Sequence, residues 1–199
     1  PAAVGMHAAI LGEARLGKSI VILGAGTIGL MVLQACKSLG ATDITVVDVM
    51  DKRLDLAKEL GASRTINGAK EDTVALLRSE ELFGDHGVEL VFECAGSTFT
   101  ANQAVQIVAR GGKIMMVGTQ SKPVPIDFLK INREVTIQTS FRYCNNYPQT
   151  IEAIRSGKFN VKDMVTNIYD YEDVQKAFEE AIDPVKKTEM VKGVIKVAE

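Results

Sequence analysis

Gly24, Gly26 and Gly29 stand out first, in the stretch Ser19-Ile20-Val21-Ile22-Leu23-Gly24-Ala25-Gly26-Thr27-Ile28-Gly29. A G-x-G-x-x-G set between an apolar run and a helical segment suits one job. Backbone N–H groups at a helix N-terminus can hold a dinucleotide pyrophosphate there. Gly24 permits the tight turn, Gly26 lets the pyrophosphate approach the backbone, and Gly29 lets the helix pack on the sheet. Such sites also need an acidic residue ending the next strand, about 20 residues on, and Asp48 stands there. The competing reading, a purely structural glycine turn, is set aside because these conditions are met together.

Asp48 is placed to accept hydrogen bonds from the adenosine ribose, and its charge repels a 2′-phosphate, so NAD is favoured over NADP. Arg53 pulls the other way, because an arginine near this loop can hold a phosphate. With the aspartate intact, Arg53 reads as flanking the adenine or ribose, or as a solvated helix charge. Thr27 and Ile28 complete the turn. Cys94-Ala95-Gly96 and Val117-Gly118-Thr119 end later strands with small residues where the rest of a dinucleotide would lie. Ser140-Phe141-Arg142-Tyr143 ends another. Its cation and phenol suit a hydroxyl-rich substrate; the alternative is a surface arginine beside a half-buried tyrosine.

Hydride transfer to or from an alcohol also needs a general base or a metal that lowers the hydroxyl pKa. The sequence holds no His-Glu-x-x-His, no Cys-x-x-Cys and no clustered His/Cys/Glu set. His7 lies among small apolar residues and His86 in a polar loop. No metal ligand is proposed within this sequence.

The elements that must position these residues alternate. A short helix is expected over Ala2 to Leu11, then the strand at Ser19 and a helix over Ile28 to Leu39. Ile44 to Asp48 is a β-branched strand, and Leu54, Ala57 and Leu60 mark a helix. A short strand at Thr65-Ile66 and a helix from Asp72 to Leu82 follow. Then come a strand over Val88 to Glu93, a helix capped by Ser97, and strands over Lys113 to Val117 and Val135 to Ser140. Strands alternating with helices mean βαβ units and a parallel sheet. The fold class is α/β: a Rossmann-type, doubly wound, six-stranded parallel sheet of order 3-2-1-4-5-6. Tyr147, Ile151 and Ile154 form a further helical stripe. Tyr171, Val174, Phe178 and Ile182 form another, stopped before Pro184. Val191 to Val197 alternates like a strand with no neighbour inside such a sheet. Residues 1–145 are therefore read as the dinucleotide-binding domain and 146–199 as the C-terminal part of a second, absent domain.

A 46% hydrophobic content across 199 residues supports a sizeable core. A formal charge of −2 argues against nucleic acid or an anionic membrane as partner. No membrane-length apolar run or signal peptide is present. Cys36, Cys94 and Cys144 fit neither a disulfide framework nor a zinc ribbon, which points to a reducing cytoplasm. The start at Pro1 reads as a fragment of something longer.

Pro1-Ala2-Ala3-Val4-Gly5-Met6-His7-Ala8, Leu23-Gly24-Ala25-Gly26-Thr27-Ile28-Gly29-Leu30 and Glu93-Cys94-Ala95-Gly96 resemble the zinc-containing, medium-chain alcohol dehydrogenase superfamily. Phe141-Arg142-Tyr143-Cys144-Asn145-Asn146-Tyr147-Pro148 and Val161-Lys162-Asp163-Met164-Val165-Thr166 resemble its polyol branch, of sorbitol (L-iditol 2-) dehydrogenase type. The resemblance implies NAD-dependent oxidation of a polyol at C2 to a ketose. It implies that Ile28, Asp48, Arg53, Val117, Gly118, Thr119, Ser140, Phe141 and Arg142 contact NAD, and that Arg142 and Tyr143 face the substrate. It also implies a catalytic zinc held by cysteine, histidine and glutamate of an N-terminal, chaperonin-10-like (GroES-like) domain that is absent here. On this basis the tail completes that domain and its last strand pairs there, so that here the tail is expected to be mobile, repacked or shared with a neighbouring molecule. The fragment is expected to bind NAD(H) without turnover, and family members associate through the edge of strand six, here Val135 to Thr139, as dimers or tetramers. Threonine, butanediol, xylitol or a sugar-phosphate alcohol are alternative substrates, and a non-catalytic NAD(H)-sensing module is the alternative from another class.

Overall fold

The computed structural model describes residues 1–131, 134–183, 185–188 and 190–198. Short β-branched, apolar runs become β1 (Ser19–Leu23), β2 (Asp43–Asp48), β3 (Arg64–Asn67), β4 (Val88–Glu93), β5 (Val108–Met116) and β6 (Thr136–Thr139). All pair in parallel, in the order β3-β2-β1-β4-β5-β6 expected from the sequence. A parallel sheet is covered on both faces, so its strands need apolar residues on both sides. In β1 Ile20 and Ile22 point to one layer, with α1 (Ala2–Leu11), α2 (Thr27–Ser38) and α3 (Asp51–Glu59). Val21 and Leu23 point to the other, with α4 (Thr73–Leu77) and α5 (Thr98–Ile107). The two-residue strand period sorts one sequence run into two cores.

The small residues of α1 have a use. A Cβ on Gly5 would lie 2.5 Å from the Met31 backbone carbon, so α1 and α2 cross backbone against backbone.

Two elements differ from expectation. The helix expected over Asp72 to Leu82 spans only Thr73–Leu77. After Leu77 the Arg78 guanidinium donates to the carbonyls of Gln106 (2.9 Å), Val108 (3.2 Å), Gly84 (3.3 Å) and Asp85 (3.2 Å). The chain that follows is thereby gathered beneath the end of α5. β5 begins at Val108, straight from α5, not at Lys113. Gly111, at φ +66°, lets the strand carry an irregularity, and its register against β4 shifts between Val88 and Leu90.

In the tail, α6 (Tyr147–Arg155) leans on α1, with Asn146 Nδ2 donating to the Ala3 carbonyl (2.8 Å). Phe159 and Met164 are buried in the α1–α3 layer. The buried Gln34 side chain donates to the Leu60 carbonyl and accepts from the Asn160 N–H. Residues 146–164, read from sequence with the second domain, thus pack on the first.

The final strand lies outside the six-stranded sheet, as expected, and has a partner of its own within the chain. β7 (Asn167–Asp170) and β8 (Gly193–Lys196) pair in parallel, with Ile168 opposite Val194. β7 escaped the sequence reading because Asn-Ile-Tyr-Asp is short and polar at both ends. α7 (Val174–Ile182) connects the two strands. Tyr169 Oη donates to Glu180 Oε2 (2.7 Å), and Lys186 donates to Oε1. These bonds lower the Glu180 carboxyl pKa and raise that of the Tyr169 phenol. The stripe that includes Phe178 and Ile182 faces outward, the two side chains 66% and 78% exposed. Pro184, expected to stop this helix, lies outside the described residues.

Candidate functional site

The order of the parallel strands reverses at β1, whose neighbours are β2 and β4, and a crevice opens at the carboxyl ends there. Gly24 leaves β1 at φ +105°, a conformation open to glycine, with its N–H bonded to the Val47 carbonyl (2.7 Å). Gly26 is the N-cap of α2 and supplies no side-chain cap, and the first turn carries no acidic residue. The N–H groups of that turn are therefore left for an anion. A Cβ on Gly26 would meet nothing within 4 Å, so the space above the turn is open. A Cβ on Gly29 would run into the Gly24 carbonyl oxygen.

Asp48 ends β2 as the motif requires, and it does more than face the crevice. Oδ2 accepts from the Ala25 N–H at 2.6 Å, and Oδ1 from Val49 N–H (2.8 Å) and Met50 N–H (3.0 Å). One carboxylate thus braces the glycine turn and the start of α3 together. Arg53 Nη1 stands 4.0 Å from Oδ2. Gly24, Gly26, Asp48 and Arg53 share a cleft of about 330 Å³ with Thr73, Ala95 and Phe99. Phe99, 69% exposed on the first turn of α5, was not singled out from sequence. An apolar ring beside the helix cap Ser97 was its one signal.

The other candidates lie on three further segments. Val117 and Gly118 leave β5 with both N–H groups on the Glu93 carbonyl (2.9 and 2.8 Å). Thr119 follows, its carbonyl against Gly96. The Ser140 hydroxyl, at the end of β6, is buried with no partner among the described residues. Phe141 is 79% exposed, and the Arg142 guanidinium lies 5.3 Å from the centre of its ring. Arg142 is held at φ +54°, which costs a non-glycine residue about 1 kcal/mol. Tyr143 packs edge-to-face on Tyr147, 4.9 Å between ring centres. Arg142 and Tyr143 do not line the cleft around Asp48; Tyr143 borders a separate surface groove with Cys144, Asn145 and Pro148. Thr27 and Ile28 open α2, and the Thr27 hydroxyl donates to the Val191 carbonyl. That bond ties the glycine turn to the approach to β8.

The described residues hold no group of three His, Cys, Asp or Glu side chains able to take a metal ion. Burial, then the Glu93 carboxylate, pushes the Cys94 thiol pKa well up, away from the range of reactive thiolates. No described helix is long and apolar enough to cross a membrane.

Fold and crevice together define a Rossmann-type dinucleotide-binding domain. The chain belongs to the zinc-binding dehydrogenase family, whose model matches residues 27–156. It is 62% identical over its whole length to the uncharacterized zinc-type alcohol dehydrogenase-like protein YdjJ of Escherichia coli, covering 56% of that protein. It is 38% identical to the sorbitol dehydrogenase of Bacillus subtilis over 92% of this chain and 52% of that protein. A crystal structure of an Escherichia coli oxidoreductase/dehydrogenase of unknown specificity, involved in membrane biogenesis, superposes with a TM-score of 0.95. It is 61% identical, over all of this chain and 56% of that one. The chain spans about half the length of the curated relatives it matches. The G-x-G-x-x-G turn calls for a dinucleotide, and the family is named for zinc binding. The glycine turn, the uncapped start of α2 and Asp48 fit the first; no described cluster fits the second.

Proposed function

We propose that this chain is the coenzyme-binding part of an NAD-dependent, zinc-containing polyol dehydrogenase of sorbitol (L-iditol) type. The observation that carries the NAD reading is Asp48, fixed by three N–H groups at the end of β2, where a 2′-phosphate would meet a full negative charge. Bound NAD supplies a hydride acceptor; the residues of this chain bind and orient it. Gly24, Gly26, Thr27, Ile28 and Gly29 receive the pyrophosphate on α2, and Asp48 and Arg53 receive the adenosine ribose. Val117, Gly118, Thr119, Ser140, Phe141 and Arg142 flank the other half. Arg142 and Tyr143 face a polyol substrate, a role supported by the strained backbone that holds Arg142.

The zinc ligands come from an N-terminal GroES-like domain of the same polypeptide. The open, apolar face of α7 supports a place for that domain on the tail. Residues 1–145 belong to the NAD-binding domain, and the part that completes the other lies within 146–199. The packing of Phe159 and Met164 favours a join near Thr166. Three free cysteines suit a reducing cytoplasm.

Titration of the 199-residue chain should give NADH binding at least tenfold tighter than NADPH, with no oxidation of sorbitol at any zinc concentration. Equal affinities, or measurable turnover, would overturn this reading. A sugar-phosphate alcohol is the second reading, supported by the exposed Arg142 cation. A substrate panel on the full-length enzyme decides between the two, since a preference for phosphorylated alcohols is expected only of the second. β6 is the edge of the sheet, with Thr136, Ile137 and Thr139 exposed, and supports association across a two-fold axis. Light scattering should show a dimer or larger, and a strict monomer would count against this edge.

A further inference from the structure

We propose that Glu93 is a positioning residue for the nicotinamide half of the dinucleotide, holding the loops after β4 and β5 at the spacing that half requires. The proposal rests on the dinucleotide reading above. Glu93 ends β4 between Leu23 of β1 and Met116 of β5, and it is fully buried. Among the described residues no lysine, arginine or histidine pairs with it. Its carboxylate collects donors from three segments instead. Oε1 accepts from Ala95 N–H (3.0 Å), Gly96 N–H (2.9 Å) and Thr100 Oγ1 (2.7 Å); Oε2 accepts from Gln120 Nε2 (2.9 Å). Its backbone carbonyl takes the N–H groups of Val117 and Gly118. The turn after β4, the first turn of α5 and the loop after β5 are therefore fixed to one another through a single side chain.

The surroundings are shaped to this carboxylate. A Cβ on Gly118 would lie 2.7 Å from Oε2. Gly96, at φ +70°, gives its N–H to Oε1 from a backbone conformation that suits glycine. Stability does not account for such a group. A desolvated carboxylate is costly even when well bonded, and apolar replacements of buried charges are often neutral or stabilising. Its position supplies the reason. The glycine turn takes the pyrophosphate and Asp48 the adenosine side toward β2, so the second nucleotide falls to the β4–β6 side. The loop after β5 that Glu93 anchors, Val117 to Gln120, lies on that side, with the Thr119 carbonyl against Gly96; Ala95 and Thr100, on the other side of the carboxylate, line the cleft they share with Asp48.

The test uses two ligands: NADH, which spans both halves, and AMP, which reaches only the adenosine half. Glu93→Leu keeps the volume and removes both side-chain acceptor oxygens, leaving the backbone carbonyl to Val117 and Gly118. Glu93→Gln keeps one carbonyl oxygen for the three donors on the Oε1 side, and its amide can face the oxygen of a turned Gln120. Glu93→Leu should weaken NADH about tenfold or more and AMP, which meets only Ala95 and Thr100 among the released groups, no more than about threefold, with Glu93→Gln within about threefold of wild type for both. Gln120→Met strips the Oε2 donor from the outer end of the network. It decides the matter if the leucine variant does not fold, and should weaken NADH about threefold with AMP unchanged. Parallel losses of NADH and AMP, or unchanged NADH binding in these variants, would overturn the positioning role. Wild-type chain that binds neither ligand would defeat the dinucleotide reading itself, and this proposal with it.

Discussion

Replacing Gly29 by alanine is expected to abolish NADH binding and to lower the unfolding free energy by about 3 kcal/mol. The added methyl group would meet the Gly24 carbonyl oxygen, and neither partner has room to withdraw. Gly24 is held by its bond to the Val47 carbonyl, and Ala95 stands behind it: a Cβ there would lie 3.0 Å from the Ala95 nitrogen. α2 cannot move the other way without pressing on α1, because Met31 already lies against Gly5. Strain so confined must be relieved by lifting the helix N-terminus off the turn, which removes the N–H groups an anion would use. A urea melt with the wild-type midpoint and an unchanged NADH titration would show that the turn has slack.

Asp48→Asn is expected to weaken NADH about tenfold and to strengthen NADPH, so that the preference for NADH is lost. The amide keeps the shape but holds one acceptor oxygen where the carboxylate has two. It cannot serve both the Ala25 N–H on one side and the Val49 and Met50 N–H groups on the other. With the charge removed, a 2′-phosphate meets no repulsion, and Arg53 stands close enough to face it. The ratio of the two dissociation constants is the informative reading. If both cofactors weaken equally, the carboxylate only braces the turn.

The sheet order and the glycine turn were legible because both rest on local rules: alternation of strand and helix, and a fixed spacing from Gly24 to Asp48. Asp48 was legible by its place in the chain; its bond to Ala25 was not, since that depends on β1 and β2 lying side by side. Glu93 was legible only as a strand end and part of the Glu93-Cys94-Ala95-Gly96 motif; its role was not, because Thr100 and Gln120 come to its carboxylate from later segments. The early end of α4 goes with Arg78 finding carbonyls at the end of α5, and the bond between Thr27 and Val191 joins opposite ends of the chain. Long-range partners of this kind leave no periodicity. For Arg142 and Tyr143, sequence located a strand end but not where the loop beyond it would lead.

The register of β1 also governs when this protein can become itself. Ser19 sits opposite Asp43, but Ile20 sits opposite Leu90, so the central strand is flanked on one side by chain made much later. At the ribosome, where synthesis proceeds at about 5–20 residues per second, β1 waits on the order of 4 to 14 seconds for that neighbour. Through this interval one edge of an apolar strand is open, and the floor of the glycine turn, Cys94 and Ala95, does not yet exist. The nascent chain therefore passes through a stage in which its cofactor loop is complete in sequence but cannot close, and there its exposure to chaperones and to aggregation is greatest.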